Sequence, residues 1–231
     1  MRPLAASLAL TLACATGPPA ADAPAERSEP DALCLQWLQE HGVAFLPVEL
    51  EEVRTPIEVR GPLGAVQLVP RAGRPAQMDC SLAQALAEAS PIFEELGIRT
   101  LSFSGAYDRR MRRHAPRLSQ HAYGLAIDVH GLETDTGHLE ITRDFEAGAG
   151  AWRNLAAGPG ALEACIGAPR REKGRALRTL ACRLKLHSAF RAIATPDDDA
   201  DHRDHLHLET FPDTLARVRR IVGALPVRAP N

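Results

Sequence analysis

Two stretches far apart in the chain constrain it more than any other feature. The first runs Ser119-Gln120-His121-Ala122-Tyr123-Gly124-Leu125-Ala126-Ile127-Asp128-Val129. The second, Asp201-His202-Arg203-Asp204-His205-Leu206-His207-Leu208, packs three of the nine histidines into six residues. Neutral imidazole and carboxylate are good zinc ligands, and a hydrolytic zinc site takes three protein ligands and keeps one position open for water. His121, Asp128 and His207 would supply that set. Side chains at i and i+2 share one face of a strand, so His205 and His207 should point the same way. His121 and Asp128 are separated by an odd number of positions. They converge only if the chain turns between them, and Gly124 is the residue suited to that turn.

The 231 residues fit one domain of ordinary size with a short leader, and a 45% hydrophobic fraction suffices for a core. Charge is nearly balanced, 27 basic against 29 acidic residues, which argues against a nucleic-acid partner. Aromatics are scarce, which argues against a stacking platform for bases or sugars. Residues 1–20 read as a signal peptide: Arg2 is followed by an apolar run from Leu4 to Ala13, too short to span a bilayer. Cys14 after Leu10-Thr11-Leu12-Ala13 approximates a lipoprotein box, with Thr11 where an aliphatic residue is usual. Lipidation at Cys14 and plain cleavage between Ala15 and Ala23 both fit, and a lipid on Cys14 is the expected route to a membrane. Residues 21–30 read as a disordered spacer and 31–231 as the domain. A monomer in the periplasm or cell envelope is expected.

Four further cysteines, Cys34, Cys80, Cys165 and Cys182, suggest two disulfides in an exported chain. Three connectivities exist. Cys34–Cys80 with Cys165–Cys182 is preferred because each closes a loop within one half of the chain. Zinc ligation by these cysteines is the rival, with no C-x-x-C to favour it.

Asp31 should cap a helix through Cys34, Leu35 and Leu38, ended by Gly42. Val53 to Arg60 and Ala65 to Val69 look like a hairpin. An amphipathic run from Cys80 should break or bend at Pro91 and end at Gly97, followed by a strand from Ile98 to Ser104. The charged run from Tyr107 to Arg113 reads either as a solvated loop or as a loop lending a guanidinium to the site. Strands are expected over Leu125–Val129 and Leu139–Thr142, joined by a turn from Gly131 to Gly137. Residues 147 to 166 read as helical segments interrupted at Gly158-Pro159-Gly160. Arg170 to Leu184 reads as a solvated helix face, Asp197 to Asp201 as an acidic loop, and His205 to Thr210 as the closing strand. A last helix should start at Asp213.

The pattern Ser-x-His-x-x-Gly-x-Ala-x-Asp with a late His-x-His resembles the LAS group of zinc peptidases, which includes D-alanyl-D-alanine peptidases and murein endopeptidases. The fuller wording, Leu-Ser-x-His-Ala-x-Gly-x-Ala-Ile-Asp with Asp-His-x-Asp-His-x-His-Leu, is similar to the extensin-like C-terminal domain family. The resemblance spans roughly residues 31 to 211, and its motifs are specific as a pair. It implies an α+β fold like that of hedgehog and D-alanyl-D-alanine peptidase domains, with a small antiparallel sheet carrying Zn2+ and helices packed to one side. It implies hydrolysis of peptidoglycan peptides, with His121, Asp128 and His207 as the metal ligands.

It also implies roles nearby. Asp204 stands where D-alanyl-D-alanine peptidases carry a glutamate base, although its arm is shorter. His205 and His202 stand where murein endopeptidases carry histidines. His205 is the preferred base or transition-state stabiliser, with Asp204 as the alternative or as its orienting partner. An arginine before the first motif stabilises the oxyanion or holds substrate in relatives, which maps to Arg110, with Arg109 where many relatives carry cysteine; either could act. Ser119 binds a substrate carboxylate or caps a turn. His114, His130 and His138 read as surface histidines, and nothing around His41 or His187 suggests a role. The competing readings are a noncatalytic envelope-binding domain that keeps its zinc, a buried His–Asp hydrogen bond, and a disulfide-held interaction module without metal.

Overall fold

The computed structural model describes residues 29–112, 115–155 and 158–213. The leader with Cys14, most of the spacer, His114 and the expected last helix lie outside the described residues. The chain begins with α1 (Ala32–Glu40), whose N-cap Asp31 accepts a hydrogen bond from the Cys34 N–H. Gly42, at φ 68°, turns the chain out of it. Strand β1 (Phe45–Pro47) pairs with β2 (Pro56–Val59), and β2 pairs with β4 (Gln77–Asp79), in a three-stranded antiparallel sheet.

The hairpin expected between residues 53 and 69 is not formed. Strand β3 (Gln67–Pro70) leaves β2 and joins the other sheet, where it runs parallel to β5 (Ile98–Phe103). Only a single bridge, Leu63 to Val66, remains of the turn. Alternation marks both strands, but the choice of partner is made by tertiary packing.

Asp79 closes β4 and caps α2 (Cys80–Glu88) by accepting from the Ser81 N–H. The amphipathic run then breaks as expected, and α3 (Ser90–Glu95) restarts with Pro91 in its first turn, where a missing N–H costs nothing. The larger sheet is ordered β3-β5-β6-β9-β8, with β7 off β6. Strand β6 (Ala126–Thr134) is the long central element, paired with β5 from Val129 to Thr134. Its first half pairs with β9 (Leu206–Thr210) and its second with β7 (Gly137–Glu140). The turn expected to begin at Gly131 therefore comes later, because Gly131 to Thr134 are paired strand. The sheet is six-stranded and mixed, larger than the antiparallel one expected, because β3 joins it in parallel.

Strand β8 (Phe190–Ala194) covers the far side of β9, so β9 is interior rather than closing. The helical segments expected before residue 160 are absent among the described residues, where glycine-rich turns replace them. Helix remains only in the short α4 (Ile141–Asp144) and in α5 (Ala161–Ile166). Helix α6 (Glu172–Leu186) is not merely a solvated face. Leu177, Leu180, Ala181 and Leu184 are buried along one side of it. Helices α2, α3, α4 and α6 pack against the sheet at β9, β5, β6 and β8 respectively.

Both disulfides take the preferred pairing, Cys34–Cys80 joining α1 to α2 and Cys165–Cys182 joining α5 to α6. Their sequence separations are 46 and 17 residues. Loop-closure entropy then gives about 4 and about 3 kcal/mol of stabilisation respectively. Replacing Cys165 and Cys182 together by alanine should lower stability by about 3 kcal/mol in non-reducing denaturant titration. A loss under about 1 kcal/mol would show that packing of α5 on α6 suffices without the bridge. Two disulfides fit an oxidising compartment. No helix among the described residues is long and apolar enough to cross a membrane.

Candidate metal centre

The turn that brings His121 to Asp128 is built from three local devices. Ser119 caps a 3-10 helix, Gln120–Tyr123, by accepting from the His121 N–H at 3.4 Å. Gly124 follows at φ 65°, a conformation that side chains rarely adopt. The space beside it is closed as well, since a Cβ there would stand 2.5 Å from the Asp79 backbone nitrogen. That same nitrogen donates to the Gly124 carbonyl at 3.0 Å, so the turn is seated on the cap of α2. The chain then enters β6.

Along β6 and β9 the side chains alternate. Ile127, Val129, Leu206 and Leu208 enter the apolar core. Asp128 and His207 occupy the other face and are direct partners across the ladder. A register shift in the β5–β6 pairing lies at Ser102/Phe103, and beyond it both backbone groups of Asp128 bond to the chain leaving β5, through Ser104 N and Gly105 O.

Three donor atoms converge here. His121 Nε2 lies 3.2 Å from Asp128 Oδ1 and 3.2 Å from His207 Nδ1, and His207 Nδ1 lies 2.9 Å from Asp128 Oδ1. Ligands on a tetrahedral ion at zinc-like bond lengths are about 3.3 Å apart. Hydrogen bonding alone satisfies this triangle poorly. If both rings donate to the carboxylate, their two N–H groups face each other at 3.2 Å. A cation at the centre satisfies all three edges, so the residues fit a metal ion, and their donor types suit a divalent one.

Protonation suits it too. Burial pushes the His207 imidazole below its ordinary value and outweighs the hydrogen bond to Asp128, so the ring is neutral at pH 7. Burial alone would raise the Asp128 carboxyl. The imidazoles of His121 and His207 overcome that and hold it far below the usual carboxylate range. A charged carboxylate and a neutral imidazole are the forms that bind metal. His121 is 1% exposed, and its Nδ1 finds no partner among the described residues.

Around this triangle stand the other expected residues. His205 Nε2 lies 3.3 Å from Asp128 Oδ1, on the ligand face as its spacing from His207 requires. Its Nδ1–H donates to Asp204 Oδ1 at 2.9 Å, and this bond holds the Asp204 carboxyl below its ordinary value. Asp204 thus sits behind His205. His202 donates from Nδ1 to Asp199 Oδ1 at 2.8 Å, with its ring 5.7 Å from that of His207. Arg110 Nη2 is 3.5 Å from Asp128 Oδ2. Arg109 turns instead to Glu51, at 2.7 Å, and is not brought to the ligands. Ser119 caps the turn.

Three further residues at the centre were not singled out from the sequence. His130, set aside above as a surface histidine, follows Asp128 by two on the same strand face. Its Nδ1–H donates to the Asp204 carbonyl and its Nε2 accepts from Ser104 Oγ–H. Burial, and then the nearby His205, lower its pKa. Glu209 and Arg112 are the other two. Glu209 follows His207 by two on β9, a spacing that could have flagged it. Arg112 comes from the charged loop and reaches Glu209 at 3.9 Å. His138, by contrast, is exposed and paired with Glu133 and Glu140, away from the ligands.

No protein-family model matches this chain, and neither curated proteins nor solved structures yield a match.

Proposed function

We propose that this chain is an exported zinc-dependent peptidase or amidase-type hydrolase of the LAS and extensin-like kind, acting on peptidoglycan peptides. The observation that carries this reading is the triangle of His121 Nε2, Asp128 Oδ1 and His207 Nδ1, with edges of 2.9 to 3.2 Å. The α+β architecture is compatible with a hedgehog or D-alanyl-D-alanine peptidase scaffold, and the disulfides are compatible with export.

A zinc ion would be held by His121, Asp128 and His207, and would supply Lewis acidity toward water and the scissile carbonyl. The chain supplies the rest. Asp204 fixes the His205 proton on Nδ1, which leaves Nε2 bare and turned toward the ligands. His205 Nε2 takes the proton of the attacking water and returns it to the leaving amine nitrogen. Asp204 is an orienting partner in this scheme, because its oxygen is engaged behind the ring. Arg110, half exposed beside Asp128, holds a substrate carboxylate or the developing oxyanion. His202, held by Asp199, offers a further hydrogen-bonding group at the rim.

The test is to digest purified peptidoglycan with zinc-loaded protein and resolve the muropeptides. Loss of terminal D-alanine or of cross-linked dimers is expected. His205→Ala should cut that rate by about 10²- to 10⁴-fold while zinc stays bound. Zinc-loaded wild type that leaves every muropeptide unchanged would refute the catalytic reading and favour a noncatalytic envelope-binding domain.

A further inference from the structure

We infer that Glu209 is the positioning residue for the metal ligand His207, fixing its tautomer and tying it to the loop that carries Arg110. The inference rests on the metal reading above. His207 presents Nδ1 to the triangle. A neutral imidazole that binds metal through Nδ1 must carry its proton on Nε2. His207 Nε2 faces Glu209 Oε2 at 3.7 Å, short of a hydrogen bond by less than 1 Å, so a small closure lets the Nε2–H donate to that carboxylate. The ring is therefore bracketed by two carboxylates, Asp128 on the metal side and Glu209 behind.

Glu209 is 4% exposed, an unusual place for a carboxylate that serves no purpose. Two guanidiniums compensate its charge. Arg191, on β8, contacts Oε1, and Arg112 Nη2 lies 3.9 Å from Oε2. Strand parity places Glu209 on the ligand face, two residues beyond His207, with Ala126 and Ala192 as its cross-strand neighbours. These small side chains leave room for the carboxylate and its arginines. Arg112 stands two residues after Arg110, so Glu209 also anchors the loop that delivers Arg110 to Asp128. A carboxylate behind a ligating imidazole raises the ligand's basicity and holds its ring angle. Removing such a partner typically weakens metal binding by about 10- to 100-fold.

The test measures zinc affinity of the full chain by competition with a chromophoric chelator, together with the visible d–d spectrum of the cobalt-loaded form. Glu209→Gln keeps the size and removes the charge. It should weaken zinc by about 10- to 100-fold and change the cobalt band positions or intensities. Glu209→Asp, which keeps the charge on a shorter arm, should fall between Glu209→Gln and wild type. A purely structural role would lower the melting temperature of the metal-free protein and leave both metal readouts unmoved. If Glu209→Gln binds zinc like wild type with an unshifted cobalt spectrum, while Asp128→Ala binds none, the inference fails and the metal reading survives. Wild type that takes up no zinc defeats the metal reading itself. Should Glu209→Gln not fold, Glu209→Asp decides alone, and wild-type zinc affinity in that variant overturns the inference.

Discussion

Asp128→Ala and His207→Ala proteins should come out of zinc loading essentially empty, where wild type retains about one ion per chain. Closed four-ligand zinc sites contribute about 10–16 kcal/mol, so one ligand accounts for roughly 3 kcal/mol, over a hundredfold in Kd. His121→Ala should behave alike. Zinc should also stabilise the folded chain. At a free concentration about 100 times Kd the gain is about 2.7 kcal/mol, or several degrees of melting temperature, and it should vanish in all three variants. Elemental analysis after dialysis and thermal scans with and without zinc would check this. If wild type refolded with zinc shows neither bound metal nor a shifted melting temperature, Asp128 is only the acceptor of a buried hydrogen-bond cluster. In that case Asp128→Asn should cost little more than one such bond, about 1–3 kcal/mol.

Arg178→Met should unfold the chain more readily by about 3–5 kcal/mol, the cost of stranding a buried charge. Arg178 is 1% exposed, yet its guanidinium is fully engaged. It pairs with Asp197 Oδ2 at 2.7 Å and donates to the carbonyls of Ile166, Cys165 and Glu146 at 2.6, 2.8 and 3.0 Å. Methionine replaces the aliphatic stem but ends short of the guanidinium, so the loss combines the polar contacts with a small cavity. Left behind would be a buried Asp197 carboxylate and three carbonyls short of a donor. Adding Asp197→Asn should recover part of the deficit by removing the stranded charge. Denaturant titration of both variants would measure it, and a loss below about 1 kcal/mol in Arg178→Met would mean that water reaches the site.

The residues that hold the centre together were legible in the sequence to different degrees. His121, Asp128 and His207 could be grouped because metal binding accepts few side-chain types, and strand parity placed His205 beside His207. Asp31 and Gly124 announced a cap and a turn through properties that few residue types share. Arg178 gave no such signal. An arginine among basic neighbours reads as solvated, and only packing shows that its partners come from three separate segments. Asp197 to Asp201 is the acidic loop expected, but the partners of its carboxylates were hidden for the mirror reason. Asp197 pairs with Arg178, and Asp198 accepts from Trp152 Nε1–H at 2.7 Å, so these carboxylates organise the interior. Strand β8 escaped notice because Phe190–Ala194 is short and two of its five residues are alanine. Its identity as a strand comes from the edge of β9 that it covers, which is a long-range fact. The misread hairpin has the same origin, since β2 and β3 each found a better partner elsewhere.

The two sulfur bridges each close a loop on one side of β6, Cys34–Cys80 before it and Cys165–Cys182 after it. Neither crosses from the stretch carrying His121 and Asp128 to the stretch carrying His207. That span is closed without a covalent link, by the β6–β9 ladder, by side-chain contacts such as His130 to the Asp204 carbonyl, and by whatever the three donor atoms grip. A bound ion would thus act as a third clasp, the one that joins the front of the polypeptide to its rear. Unlike the other two it would open to a chelator instead of a reductant, so stripping the metal would loosen the molecule along that seam.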